Sequence, residues 1–507
     1  MKKGLKILRR LHRRIAVILM ILLQIAALVA LMLAGAKRPW VALCMYLLSG
    51  AVIVHIVLYR SRRVALLPWI ILIMVFPIFG GLFYLTFHLA ASSPFIRRGV
   101  RALTAHIVPP PSEANMEACA ASYPAHARLM RYLCNAGHYP VYAGTDVLYL
   151  PSGEQMLASL LSDLRRARRY IFLEYFIIED GVMWGQVHEI LKEKAKSGVE
   201  VRVIYDDIGC FLRVPKSFQK TLESEGIKCR VFNPFRPLFT SLHNHRDHRK
   251  IAVIDGEFAY TGGANLADEY INAVSPLGHW KDAAVRLSGG AALSLCAVFL
   301  ENWCLGSGTA EDVSLYLPPC VKGNVPGALV QPYADTPLDD APIGETAYLC
   351  AISAAKETLY ITTPYFIVDD SMMNALILAA KSGVDVRIVT PHIWDKRFVH
   401  MATRSHYREL IRGGIRVYEY TPGFIHSKTV VSDGVLSIVG TTNFDYRSLC
   451  HHFECGTVIY DREVAAALKE DFFSVLSVSR EITEKDCKAG LLRRFFEHLL
   501  RIFAPIL

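Results

Sequence analysis

Residues 1–101 contain no aspartate or glutamate, and the first acidic residue of the 507-residue chain is Glu113. The same stretch holds 15 lysines and arginines, so its charge is of one sign. Charged residues are scarce overall, at 20%, while 52% are hydrophobic, which excludes an intrinsically disordered chain. Paired cysteines are missing too: 12 cysteines occur, but none forms a CxxC pair or a disulfide-like spacing. A disulfide scaffold is thereby excluded, and a reducing compartment is favoured for the thiols. Beyond residue 101 there are 41 basic and 46 acidic residues, a balance of −5 beneath a whole-chain net charge of +10. Gripping a nucleic-acid backbone needs a basic surface, so a nucleic-acid partner is not expected for this body.

Long apolar runs fill the acid-free region. Three uncharged runs, 15–36, 39–59 and 64–91, are separated only by Lys37-Arg38 and Arg60-Ser61-Arg62-Arg63. Each exceeds the roughly 20 residues a helix needs to cross about 30 Å of hydrocarbon. Clustered cations at their boundaries suit anionic headgroups and the positive-inside bias. The expectation is a membrane region over 1–105 with two or three transmembrane segments in a multi-pass cell-membrane protein. Run 15–36 is long for a signal-peptide core of about 7–15 residues. Run 64–91 is interrupted by Pro68, Pro77 and Gly80-Gly81, so a re-entrant or interfacial element is the alternative to a third crossing. Seven lysines and arginines before the first run argue for a cytoplasmic N-terminus. Two crossings then leave the body on the cytoplasmic side, and three put it outside.

A Pro-rich connector (106–145) leads into a body that is written twice. Tyr170 to Asp180 reads YIFLEYFIIED and is followed by a helical stretch and Lys196-Ser197-Gly198-Val199-Glu200-Val201. Leu359 to Asp370 reads LYITTPYFIVDD and is followed by a helical stretch and Lys381-Ser382-Gly383-Val384-Asp385-Val386. Each unit reads as strand, helix closed by a C-cap glycine, and strand. Two copies predict an α/β fold of two similar mixed-sheet lobes, 146–322 and 323–486, with a shared interface site.

Both copies end in one chemical string. His248-Arg249-Lys250 through Asp255 and His426-Ser427-Lys428 through Asp433 are each HxKxxxxD. Gly262-Gly263-Ala264-Asn265 follows the first, and Gly440-Thr441-Thr442-Asn443 the second. His248 to His426 and Asn265 to Asn443 are both 178 residues, so the strings are in register within the duplication. In an extended His-x-Lys, residues two apart project to one face. Two lobes face to face would therefore offer two imidazoles and two fixed cations. A phosphodiester fits such a site. Lys250 and Lys428, with Asn265 and Asn443, hold nonbridging oxygens and stabilise the transition-state charge. One histidine attacks phosphorus; the other protonates the departing oxygen and then deprotonates the acceptor hydroxyl. No metal or cofactor is required.

Each imidazole also needs a carboxylate to fix its tautomer, and Asp282 and Glu454 lie at comparable distances downstream. Asp255 and Asp433 precede Gly256 and Gly434; they either share in the chemistry or close the turn after the strand.

The paired strings, RDHRKIAVIDG with YTGGANLADEY and HSKTVVSDG with GTTNFDYRS, resemble the phospholipase D superfamily. With the N-terminal membrane region, they resemble its bacterial cardiolipin synthases from about Pro68 to the C-terminus. That resemblance implies phospholipase D-like lobes and a reaction in which two phosphatidylglycerol molecules give cardiolipin and glycerol through a phosphohistidine. It also implies His248 as nucleophile and His426 as acid/base, an order the residues alone leave open. A phospholipase D, a phosphatidylserine synthase or a non-catalytic membrane scaffold are the alternatives. Two N-terminal apolar segments are commoner in that family than three.

Two further strings stand out. His243-Asn244-His245-Arg246-Asp247-His248 matches HxHxDH, a zinc-binding pattern of metallo-β-lactamase-type hydrolases, but it leaves the second HxKxxxxD without a role. At the C-terminus (487–507), Leu491-Leu492, Phe495-Phe496, Leu499-Leu500 and Phe503 recur at helical spacing opposite Arg493, Arg494, Glu497 and Arg501. An amphipathic helix is predicted, packed on the body or lying at a membrane interface.

Overall fold

The computed structural model describes residues 38–59, 66–89, 113–235, 244–307, 311–316, 327–338, 341–488 and 490–506, with Ala26, Val29, Ala30 and Leu33. Apart from those four residues, the apolar run 15–36 lies outside the described residues, as do His243 and residues 106–112 of the connector. Residues Arg97–Asn233 and His245–Arg501 form one compact unit, and the N-terminal helices belong to another.

In the N-terminal unit, α1 (Pro39–Tyr59) follows the second apolar run. Its 21 residues reach about 31 Å at 1.5 Å per residue. It is the one helix among the described residues that is long and apolar enough to cross a membrane. The third run differs from a continuous crossing. It forms α2 (Leu66–Val75) and α3 (Pro77–Leu89), broken at Phe76 where Pro77 removes a helical N–H and crowds the preceding turn. A Cβ on Gly80 would lie 2.6 Å from the Cα of Ile73, so the chain bends back sharply and glycine is required there. Ten and thirteen residues are each too short to span the bilayer core. Of the two readings of that run, the broken, doubled-back pair of helices fits the re-entrant or interfacial one. Trp69 meets Tyr84 edge-on at 5.2 Å, and both pack with Val52 and Ile56 of α1.

In the larger unit, the first copy supplies β1 (Tyr142–Leu150), β2 (Tyr170–Tyr175), β3 (Glu200–Asp206), β4 (Lys228–Phe232), β5 (Lys250–Ile254), β6 (Phe258–Gly262), β7 (His279–Lys281) and β8 (Ala284–Ser288). The second supplies β9 (Ala328–Asp335), β10 (Thr358–Thr362), β11 (Phe366–Ile367), β12 (Asp385–Pro391), β13 (Arg416–Tyr420) and β14 (Gly423–Ile425). It continues with β15 (Thr429–Ser432), β16 (Leu436–Gly440), β17 (Phe444–Asp445), β18 (Glu454–Tyr460) and β19 (Ser479–Ile482).

Fifteen of these strands form one sheet, in the order β19-β13-β12-β10-β15-β16-β18-β9-β1-β8-β6-β5-β2-β3-β4. Outward from the β9–β1 seam, one copy runs β1, β8, β6, β5, β2, β3, β4. The other runs β9, β18, β16, β15, β10, β12, β13, with β19 added at its edge. The duplication is thus a mirrored strand order, and the two lobes share a continuous sheet. Antiparallel pairing of Tyr142 with Val330 and of Thr145 with Ala328 makes the seam.

The parallel strands β2 and β3 are buried almost throughout, as expected for apolar runs covered on both faces. The helices after β2 and β10, α4 (Val182–Lys196) and α6 (Asp370–Lys381), end as the sequence predicts. Gly198 and Gly383 take φ of 89° and 101°, and Val199 and Val384 donate back to Lys194 and Ala379 at 3.0 and 3.1 Å. The central helix α5 (Ala292–Ser307) stacks Phe299 on Phe172 of β2 at 4.6 Å.

Two further helices, α7 (Arg397–Arg412) and α8 (Leu491–Phe503), lie at the C-terminal end of the body. Arg501 of α8 pairs with Glu409 of α7 at 2.9 Å. The apolar face of α8 is left outward, with Leu491 86% and Leu492 72% exposed. Leu492 and Phe496 line a groove of about 420 Å³ with Trp394, Arg397 and Met401.

Candidate active site

The backbone around each HxK histidine is tied to the other copy. Before β5, Phe453 N–H donates to Arg246 O at 2.8 Å and His248 N–H donates to Phe453 O at 2.9 Å. Before β15, β14 pairs in parallel with β7, and His426 N–H donates to Lys281 O at 2.7 Å. The histidine of one copy is thereby set beside the carboxylate of the other. Nδ1 of His248 lies 2.9 and 3.0 Å from the Glu454 oxygens, and Nδ1 of His426 lies 2.8 Å from Oδ2 of Asp282. With Nδ1 engaged in each ring, Nε2 is the nitrogen left for chemistry.

All four groups are buried: Glu454 and Asp282 completely, and each histidine to 7% exposure. Burial pushes the His248 imidazole well below its usual range; Glu454 opposes this and Lys250 reinforces it. Burial and the Lys428 charge lower His426 to about 4 against the pull of Asp282. Burial alone would raise both carboxylates, but the facing imidazoles hold Glu454 and Asp282 below their usual values. The four groups therefore form two neutral-imidazole/carboxylate pairs.

Lys250 and Lys428 open β5 and precede β15, each 1% exposed, and each donates to the carbonyl of its own HxK histidine. Lys428 also lies 2.9 Å from Nδ1 of His426. Desolvation lowers them to about 8 and about 7, while Glu454 and Asp282 both act to raise them. Each lysine responds to the carboxylates of both pairs, so the pairs and cations make one electrostatic site. An anion brought here would restore the lysine charges that burial weakens.

The Gly-rich turns explain their glycines by close approach. A Cβ on Gly262 would lie 2.4 Å from Ala283 O, and one on Gly440 2.5 Å from Cys455 O. At the next position the copies diverge. A Cβ on Gly263 would be 2.0 Å from Oδ1 of Asp282, whereas Thr441 donates its hydroxyl to Glu454.

Not every expected site residue joins the cluster. Asp255 takes φ of 55° and its carboxylate accepts from the N–H groups of Arg168, Arg169 and Tyr170 at 2.7 to 2.8 Å. Asp433 takes φ of 51° and accepts from Lys356, Glu357 and Thr358 at 2.8 to 2.9 Å. Both stand at the far ends of their strands from the lysines. Of the two roles expected of them, this geometry fits the structural one: their carboxylates bind the chain that enters β2 and β10.

Asn265 is also differently engaged from the expected phosphate role. Its Oδ1 accepts from Ile177 N–H at 3.0 Å and its Nδ2 donates to Tyr270 Oη at 2.6 Å. Asn443 donates to Asp445 at 3.3 Å, and its Oδ1 is buried without a hydrogen-bond partner among the described residues. One amide hydrogen of each remains for an anion.

Of the HxHxDH string, His243 lies outside the described residues, and His245 and Asp247 are engaged away from His248. His245 Nδ1 lies 3.1 Å from His451 O, and Asp247 accepts from Asn302 of α5 at 2.9 Å. The crossed pairing, Thr441, and His452 at 5.4 Å ring separation from His248 were not legible beforehand. The signal for the crossing lay in the in-register repeat, since a pseudo-twofold arrangement gives both half-sites the same exchange.

Comparison with known proteins agrees with this geometry. A family model described as "Cardiolipin synthase, PLD-like domain" matches residues 160–274 and 348–476. The chain is 34% identical over 446 residues to cardiolipin synthase 2 of Bacillus anthracis, covering 87% of this chain and 86% of that one. The chain belongs to the cardiolipin synthase family. It is also 32% identical over 463 residues to the cardiolipin synthase of Halalkalibacterium halodurans, covering 90% of this chain and 92% of that one. The fold is similar to that of a phosphatidylserine synthase from Haemophilus influenzae, with a TM-score of 0.58 at 15% identity over 75% of this chain and 98% of that one. Within this cardiolipin synthase family chain, both histidines, both lysines and Glu454 fall in the matched segments. Asp282, the partner of His426, falls between them.

Proposed function

We propose that this enzyme is a phosphatidyltransferase that joins two phosphatidylglycerol molecules into cardiolipin and glycerol through a phosphohistidine. The crossed pairing of His248 with Glu454 and of His426 with Asp282 carries the reading. Nε2 of His248 attacks the phosphorus of the first lipid while His426 gives a proton to the leaving glycerol oxygen. Lys250 and Lys428 hold the nonbridging oxygens, and the anion they grip favours the protonated form of His426. After glycerol departs, a terminal hydroxyl of the second phosphatidylglycerol loses its proton to His426. It attacks phosphorus and releases Nε2 of His248. Each step forms one P–O or P–N bond and breaks the other, and the proton returns to His426. A buried site limits competing water, which favours the lipid hydroxyl as acceptor.

Membrane attachment follows from the same reading. Run 15–36 and α1 would make two crossings, with α2 and α3 turned back within one leaflet. The body then stays on the side of the seven N-terminal cations, the cytoplasmic side. The outward apolar face of α8, flanked by Arg493 and Arg494, suits the headgroup region of a membrane.

Purified full-length enzyme in phosphatidylglycerol vesicles should release cardiolipin and glycerol in equal amounts. Phosphatidic acid without cardiolipin would instead assign hydrolysis by a phospholipase D. Protease added to intact and opened cells should cut the body only in opened ones.

A further inference from the structure

His452 takes no part in the transfer chemistry. Its side chain is 10% exposed, and among the described residues neither ring nitrogen makes a hydrogen bond of good geometry. A buried imidazole left in that state is unfavourable unless something binds it. Its Nδ1 lies 3.5 Å from Oε1 of Glu454, the oxygen that is also 2.9 Å from Nδ1 of His248. One donor atom from each of His248, His452 and Glu454 lies within 4.8 Å of the others. Two imidazoles and one carboxylate make the donor set of an open three-residue zinc site, with a fourth position for water or an anion.

We propose that His248, His452 and Glu454 form an inhibitory site for a divalent transition-metal ion, with Zn²⁺ as its type. Only the consequence of binding rests on the phosphatidyl-transfer reading. When Nδ1 of His248 binds the ion, its proton moves to Nε2, and the ring no longer offers a lone pair to phosphorus. The metal–nitrogen bond replaces the Nδ1–H···Glu454 hydrogen bond, and nothing is oxidised or reduced. Mg²⁺ and Ca²⁺ favour oxygen donors and do not compete. The other half-site cannot do the same. The residue two before Asp282 is Trp280, whose indole N–H donates but offers no lone pair, so the stoichiometry is one ion per chain.

The test uses the untagged full-length chain, stripped of metal, in phosphatidylglycerol mixed micelles. Bound Zn²⁺ is measured by metal analysis and Co²⁺ by its visible absorption, while transfer is followed against buffered free Zn²⁺. The expected result is one ion per chain, inhibition by Zn²⁺ but not Mg²⁺, and binding at least about tenfold weaker in both His452→Asn and His452→Phe. Either folded variant suffices, because the readout is binding rather than turnover. Absence of a stoichiometric ion, or Zn²⁺ binding unchanged in the variants, overturns the proposal. If the metal-free enzyme makes no cardiolipin, the transfer reading fails, whereas the binding titration still decides the metal site.

Discussion

The two copies of the repeat share a strand order and a catalytic string, yet the surroundings of their histidines differ. His248 faces Glu454, which also receives the Thr441 hydroxyl, with His452 and Phe176 against its ring. His426 faces Asp282 beside Gly263, with Trp280 and Tyr270 against its ring at 5.3 and 5.5 Å. Duplication supplies a scaffold that holds two imidazoles alike; substitution around them makes one half-site polar and the other aromatic. Such asymmetry suits a reaction in which one ring must carry a phosphoryl group and the other only a proton.

Removing either histidine should break that comparison most. His248→Ala and His426→Ala are each expected to lower cardiolipin formation on the order of 10⁴-fold or more while the chain stays folded. A donor lipid with a p-nitrophenol headgroup separates the roles, because its leaving group needs no proton. Acid-quenched covalent adduct should return in His426→Ala but not in His248→Ala; return in His248→Ala instead would reverse the assignment.

Next come the crossed carboxylates. Glu454→Gln and Asp282→Asn should each cost on the order of 10³- to 10⁴-fold in kcat by releasing the imidazole tautomer. Glu454→Gln should behave in the p-nitrophenol assay like loss of His248, although the two residues belong to different copies. Grouping with His426 would break the crossing.

A smaller effect is expected from pH. Lys428 and Lys250 lose their charge in the free enzyme as pH rises through about 7 and 8, so kcat/KM should fall over that window. Lys428→Arg should move the lower limb upward, and an unchanged limb would assign it elsewhere. On the acid side, His426 binds a proton in the unfolded chain below about 6.5 but in the fold only near 4. Its contribution to stability is therefore present above 6.5 and lost as pH falls toward 4.

The smallest catalytic effect belongs to the strand-end aspartates. Asp255→Ala and Asp433→Ala each remove an acceptor shared by three N–H groups. A stability loss of about 2–4 kcal/mol is expected, with kcat nearly unchanged in the folded fraction. Thermal unfolding and turnover measured on one preparation decide this.

Much of the molecule was readable from residues alone. The 178-residue register of HxKxxxxD announced a duplicated α/β unit, and Gly198 and Gly383 marked helix ends that the structure places where expected. Asp282 and Glu454 were recognisable as histidine partners because a buried imidazole needs a carboxylate. Which histidine each serves was not, since spacing along the chain cannot tell a partner in the same copy from one across the pseudo-twofold. The fusion of the sheets was hidden for a similar reason: the residues of β1 and β9 do not name the strand they will meet. The third apolar run was legible in part: Pro77 and Gly80 flagged a break, whereas hydropathy counts residues and does not register how sharply the chain bends there.

The β1–β9 seam bears on how the enzyme exchanges one lipid for another. A hinge that parted the lobes would have to tear ladder hydrogen bonds in the middle of a fifteen-stranded sheet. Traffic must therefore pass through a mouth of nearly fixed shape, with glycerol leaving by the door through which the second headgroup enters. The enzyme works as a turnstile rather than a clamp, and the time the door stands empty sets how often water, instead of lipid, receives the phosphatidyl group.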